Sequence, residues 1–135
     1  MKITNITVQT FRYLSNTVRD AEGHGHPGPE HEATQSITTI HTDEGVKGYC
    51  FGGITKGVLE GILKAVLVGH DPFFREQHWQ ELKARQRLNL ATLHDRVLTT
   101  VDMALWDIAG RYLGQPVHRL LGERHKKVPA YASTM

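Results

Sequence analysis

Three histidines fall within a short polar stretch, His24, His26 and His31, beside Glu30 and Glu32. An imidazole carries one donor and one acceptor nitrogen and titrates near neutrality. This set could therefore hydrogen-bond the hydroxyls or carboxylate of a polar small molecule. The His24-x-His26 spacing with His31 and an acid also resembles a chelate for Zn²⁺, Cu²⁺ or Ni²⁺. Closed structural sites have more rigid ligand spacing and a supporting second shell, so no metal ligand is assigned. Cys50, between Tyr49 and Phe51, has no base that the sequence can pair with it and reads as a small buried hydrophobe. Gly52-Gly53 could offer backbone amides to an anion, but the P-loop lysine and the spacing of a dinucleotide fingerprint are missing.

These residues are held by elements with contrasting patterns. Leu14 to Glu32 is polar and carries Gly23, Gly25, Pro27, Gly28 and Pro29, which predicts a long loop, of the kind that serves as a lid or binding segment. Lys2 to Tyr13 is rich in β-branched residues and predicts a strand. Ile3 and Ile6 are an odd number of residues apart, which predicts a bulge or a two-sided strand. Thr34–Thr42 and Val46–Phe51 predict a hairpin turning through Thr42-Asp43-Glu44-Gly45.

Helical periodicity follows. Val58, Leu59, Ile62, Leu63, Val66 and Leu67 form one stripe ending at Gly69. Asp71-Pro72 predicts the next helix start, with Asp71 as N-cap and Phe74, Trp79 and Leu82 as buried contacts. The longest helix is expected from Thr92 to Leu113, with Tyr112 in its stripe and Gly114 as a left-handed cap. Gln115-Pro116 opens a short helix through Leu121, closed by Gly122, and Val128–Ala132 reads as another strand. The expectation is an α+β fold, a three-stranded antiparallel meander followed by three or four helices.

Bulk properties narrow the function classes. The 135 residues suit one domain. Sixteen Lys and Arg against fourteen Asp and Glu leave a charge of +2, too small to argue for a nucleic-acid partner. One cysteine allows no intrachain disulfide and points to a reducing compartment, the cytoplasm. No stretch approaches the roughly 20 apolar residues of a membrane span, and no export signal is evident.

Ala104-Leu105-Trp106-Asp107-Ile108-Ala109-Gly110-Arg111, then Leu113-Gly114-Gln115-Pro116 and Leu120-Leu121-Gly122, resembles the signature of the mandelate racemase and muconate lactonizing enzyme family of the enolase superfamily. Three further pieces stand in that family's order: Thr42-Asp43-Glu44-Gly45-Val46 with Gly48-Tyr49, Gly69-His70-Asp71-Pro72, and Val128-Pro129-Ala130-Tyr131-Ala132-Ser133. On a helix with this stripe, Trp106 itself reads as core and Asp107 as a cap or a partner for an arginine. Asp102, Arg96 and Arg111 read as solvated or salt-bridged.

The resemblance implies an N-terminal capping domain over residues 1–125, with 126–135 beginning a catalytic barrel domain that needs about 200 residues or more. Family members are Mg²⁺-dependent lyases (dehydratases) or isomerases that abstract a proton α to a carboxylate. Their metal ligands and bases belong to the barrel, so no catalytic or metal-binding residue is expected in this chain, and the chain is expected not to turn over substrate alone. The implied role is a lid that selects an acid-sugar-like substrate, made of Leu14–Glu32 and Phe51–Thr55, with His24, His26, Glu30, His31, Ile54 and Thr55 as substrate-binding candidates. The implied partners are the barrel domain of the same enzyme and further copies of the chain through an uncovered apolar face. The alternative is a stand-alone dimeric interaction module that keeps the cap fold.

Overall fold

Branching at Cβ restricts χ1 and suits Thr, Ile and Val to a pleated surface, and strands take up most of the first 51 residues. The computed structural model describes residues 1–89 and 91–130. Strands β1 (Ile3–Arg19), β2 (Gly25–Thr42) and β3 (Lys47–Phe51) form one antiparallel sheet in the order β1-β2-β3. Ile3 and Ile6 are both buried despite their odd separation. The pairs Ile3↔Thr42 and Asn5↔His41 advance two residues on β1 against one on β2, a bulge, which is one of the two outcomes their spacing predicts.

The loop expected over Leu14–Glu32 is instead the distal half of a two-stranded ribbon. Leu14 pairs with Glu32 and Ser15 with His31, and beyond an irregularity Thr17, Val18 and Arg19 pair with Pro27, His26 and Gly25. Its prolines and glycines fail to break it for two reasons. β3 pairs with β2 only over residues 37–41, so the distal part of β2 is an edge, where a missing N–H is tolerated. Gly28, Pro29 and Glu30 occupy the irregular stretch between the Ser15 and Thr17 pairs, where no regular ladder is required. Gly23, at φ +89, closes the ribbon tip by donating its N–H to the Asp20 carbonyl at 3.1 Å.

The second hairpin turns as expected. Gly45 sits at φ +80, and the Thr42 hydroxyl donates to the Val46 carbonyl at 2.7 Å.

The helical run opens with α1 (Lys56–Val58), widens into a π-helical turn (Leu59–Leu63) and continues as α2 (Lys64–Leu67). Val58, Leu59, Leu63, Val66 and Leu67 are buried on its inner side. Helix α3 (Arg75–Gln86) starts later than Asp71-Pro72 predicts. The Asp71 carboxylate accepts the Phe73 N–H at 2.9 Å and its carbonyl accepts the Phe74 N–H at 3.2 Å, closing a separate turn before the helix. Phe74, expected inside, therefore caps the helix and is exposed. Leu82 is buried and Trp79 half-buried against the core.

Helix α4 (Asp95–Leu113) is the spine of the domain and ends at Gly114, φ +61. Leu93 just before it is buried, as are Val97, Leu98, Val101, Ala104, Leu105 and Ile108 along it. Tyr112 is exposed and meets Phe73 edge-on with centroids 5.6 Å apart, so the apolar stripe stops a turn earlier than its periodicity suggests. The short helix α5 (Val117–Leu120) follows. Among the described residues the layout is the expected meander followed by helices, with no barrel. No described helix is long and apolar enough to cross a membrane. Val128–Ala130 is irregular, and Tyr131 and Ala132, the rest of the expected last strand, lie outside the described residues.

Candidate functional site: a groove beside the ribbon

The register of the ribbon and the turn after β3 together enclose a polar groove of about 1120 Å³. Its walls are the ribbon, the Gly52-Gly53 turn and the residues that open α4. The turn is tied to β2 by the Gly52 N–H on the Ser36 carbonyl at 3.0 Å and by the Thr38 hydroxyl on the Gly52 carbonyl at 2.8 Å. A Cβ on Gly52 would stand 2.5 Å from Thr100 Oγ1, so glycine lets the turn close against α4. Arg19, His31, His94 and Arg96 line the groove together with hydroxyl groups such as Ser36, and no Asp or Glu is among the lining residues. A lining with cationic groups and donors, and no carboxylate, suits an anionic polyhydroxylated molecule.

Of the six candidate residues, His31 lies in this groove, where its Nδ1 donates to the Pro29 carbonyl at 3.1 Å. His24 and His26 are at the ribbon tip instead, gathered on Asp20. His26 Nε2 is 2.8 Å and His24 Nδ1 3.3 Å from Asp20 Oδ2, and the His24 N–H donates to Oδ1 at 2.8 Å. The His26 hydrogen bond, with those from His24, holds the Asp20 carboxyl below the usual range. Glu30 is exposed in the irregular stretch of β2. The Ile54 side chain is buried in the core cluster with Val58 and Leu59, because the chain turns inward to start α1. Thr55 is exposed as the N-cap of α1, with no side-chain capping bond.

Arg19, His94 and Arg96 are the groove residues that sequence reasoning missed. Arg19 was inside the segment read as a loop, and only the strand register aims attention at it. His94 and Arg96 precede or open a helix whose apolar stripe dominates the pattern.

The signature segment performs structural work. The Asp107 carboxylate accepts the Tyr49 N–H at 2.9 Å and the Arg111 Nε–H at 2.8 Å, clamping β3 to α4 as a partner for an arginine should. Trp106 is not in the core: it is half-buried, with the Arg75 guanidinium 3.1 Å above its ring. Cys50 is half-buried against the core, and burial, with the Asp107 charge, pushes its thiol pKa up, the reverse of an activated nucleophile. Among the described residues no group of three or more His, Cys, Asp or Glu is placed to hold a metal ion. This donor set does not fit Mg²⁺, and no step through it is assigned to these residues.

An antiparallel meander followed by a helical run, with signature residues that clamp β3 to α4, defines the α+β N-terminal domain of the enolase type. The chain belongs to the mandelate racemase / muconate lactonizing enzyme family, as its N-terminal domain, whose family model matches residues 26–122. Among related proteins, arabinonate dehydratase of Saccharolobus solfataricus is 33% identical over 110 residues, 76% of this chain and 29% of that protein. D-galactonate dehydratase of Ralstonia nicotianae is 36% identical over 93 residues, 62% of this chain and 23% of that protein. The structure of D-glucarate dehydratase from Agrobacterium tumefaciens complexed with magnesium is similar with a TM-score of 0.85 and 44% identity, over 90% of this chain and 33% of that one. A member of the enolase superfamily from Polaromonas sp. JS666 gives a TM-score of 0.72 at 26% identity, over 98% of this chain and 36% of that one. The chain thus spans about a third or less of the length of these relatives.

Proposed function

We propose that this chain is the capping and substrate-specificity domain of a Mg²⁺-dependent enolase-superfamily enzyme that acts on an acid sugar by abstracting a proton α to a carboxylate. The observation that carries the reading is the groove beside the ribbon, with Arg19, His31, His94 and Arg96 in its lining and no carboxylate. Cationic side chains hold a carboxylate, and the hydroxyl and backbone groups beside them suit sugar hydroxyls. The dehydratase relatives support the acid-sugar class, and the magnesium in the Agrobacterium structure supports the metal dependence. The metal ligands and the base are placed in a barrel domain outside these residues, so the groove contributes binding, orientation and exclusion of water. Binding energy at parts of the substrate that do not react serves orientation at the reacting centre.

The test is an assay of the purified 135-residue chain with Mg²⁺ and a panel of aldonic and aldaric acids, scoring dehydration and racemisation. No turnover above buffer is expected, and Mg²⁺-dependent turnover by the chain alone would sink the reading.

A further inference from the structure

Beneath the polar groove lies a buried hydroxyl. Thr100 on α4 is 4% exposed and is not among the groove's lining residues. Its hydroxyl donates to the Arg96 carbonyl, one helical turn back, at 2.8 Å. Arg96, in that first turn of α4, and His94, which caps it, do line the groove. The other side of Thr100 meets the glycine turn. A Cβ on Gly52 would stand 2.5 Å from Thr100 Oγ1, 3.1 Å from Cγ2 and 3.4 Å from Cβ. Gly52 is fixed to the sheet in turn, its N–H on the Ser36 carbonyl at 3.0 Å and its carbonyl under the hydroxyl of the fully buried Thr38 at 2.8 Å. One unbroken series of contacts therefore runs from β2 through Gly52 and Thr100 to Arg96. Asp107 ties β3 to α4 at Tyr49, and Thr100 sets the approach at the end of β3 that borders the groove.

Helix formation does not explain a threonine at this position. A β-branched residue in a helix interior has a lower propensity than alanine, and a hydroxyl bonded to the carbonyl four residues back slightly destabilises the helix. Departures from local preference of this kind concentrate at functional sites. What the hydroxyl supplies is a short approach. An O–H···O contact closes at about 2.7–2.8 Å, whereas a carbon stops at about 3.3–3.6 Å from a carbonyl oxygen. A methyl group in place of Oγ1 would push either the Arg96 turn or the glycine turn outward by about half an ångström.

We propose that Thr100 is a positioning residue for the groove: it sets the spacing between the Gly52-Gly53 turn and Arg96, and so the fit of a sugar acid against that arginine. The inference rests on the substrate-binding reading of the groove given above. Thr100 touches no substrate and acts through Gly52 and Arg96. Its effect falls on binding, because a charge-assisted hydrogen bond weakens as its distance and angle depart from the optimum.

The order of two variants separates this role from simple packing. If Thr100 only filled space, Thr100→Val would be tolerated and Thr100→Ser, which deletes a buried methyl, would be the more damaging. Positioning by the hydroxyl requires the reverse. The first measurement needs no substrate and uses amide exchange in the 135-residue chain. In Thr100→Val the Gly52 N–H, which donates to Ser36, should exchange on the order of tenfold faster relative to amides in the middle of α4, and Thr100→Ser should bring it back to within about twofold of wild type. The second uses the Agrobacterium D-glucarate dehydratase carrying this chain in place of its own matching third, with Mg²⁺ and D-glucarate. Thr100→Val should raise KM about fivefold while kcat changes less than about twofold, and Thr100→Ser should restore KM. Unchanged Gly52 exchange in Thr100→Val, or a larger effect of Thr100→Ser, would overturn the proposal and leave the substrate-binding reading standing. So would a wild-type KM in Thr100→Val when Arg96→Ala raises it. A wild-type KM in both Thr100→Val and Arg96→Ala, or no turnover by the unmutated chimera, would overturn the substrate-binding reading and the positioning role with it.

Discussion

Gly48 on β3 faces the carbonyl of Ala104 on α4 so closely that a Cβ at residue 48 would stand 2.0 Å from the carbonyl oxygen and 2.7 Å from Ile108 Cγ1. The sheet and the long helix meet at backbone contact, and the position of the Gly52-Gly53 turn over the start of α4 follows from that contact. Replacing Gly48 with Ala must push β3 off α4, an overpacking whose cost is about 1–3 kcal/mol. Urea unfolding should show a lower midpoint at unchanged slope. A Gly48→Ala protein as stable as wild type would mean the two elements are not in contact as described.

Asp107 carries the polar half of the same junction. In Asp107→Ala the Tyr49 N–H loses its acceptor and Arg111 loses its partner. The exposed ion pair contributes little, so the expected loss of about 1–2 kcal/mol comes mainly from the charge-assisted hydrogen bond that ties the Tyr49 N–H of β3 to α4. Arg111→Ala should cost less than Asp107→Ala by chemical denaturation, and the reverse order would contradict this division.

At the ribbon tip the pH dependence has a definite sign. The hydrogen bond from His26, aided by those from His24, lowers the Asp20 pKa. A carboxyl lowered on folding stabilises the tip fully above its unfolded value, about 3.9, and that stability is lost as pH falls through the lower folded value. The His24 N–H, which donates to Asp20 at 2.8 Å, should keep its protection from amide exchange at pH 5 and lose it well below pH 4. Asp20→Asn should remove that dependence. Protection that already collapses between pH 6 and pH 5 would point to another group.

Arg96 and Arg19 are the groove residues with the clearest chemistry. In the chain joined to a catalytic domain, Arg96→Ala and Arg19→Ala should each raise KM for an acid sugar by about tenfold, the loss of one charge-assisted contact. An effect on kcat alone with KM unchanged would mean that neither cation meets the bound substrate.

Sequence pattern located the α+β order, the second hairpin and the bulge at Ile3, because each rests on local spacing. The ribbon was not legible for a physical reason. Pro27 and Pro29 are normally strand breakers, and they are tolerated because β3 stops pairing at Ile37 and leaves β2 with an open edge, and because Pro29 falls in the irregular stretch of the ribbon, both facts of register and topology. The same holds for the groove. His31 was singled out by its chemistry, but Arg19 and Arg96, far apart in the chain, become neighbours of one groove only through strand register and the packing of α4. The burial of Ile54 was not legible because the pattern after Gly52-Gly53 does not show that the chain turns inward before α1. Trp106 read as core because it stands on a helix with an apolar stripe, yet it serves as a platform for Arg75.

The most direct test exchanges domains. The Agrobacterium D-glucarate dehydratase carrying this chain in place of its own matching third is assayed with Mg²⁺ on aldonic and aldaric acids beside the unaltered enzyme. The expected result is Mg²⁺-dependent turnover with a substrate preference that shifts with the exchanged domain and is lost in Arg96→Ala. A folded, active chimera with the original preference unchanged by the exchange or by Arg96→Ala would contradict a specificity role for this chain.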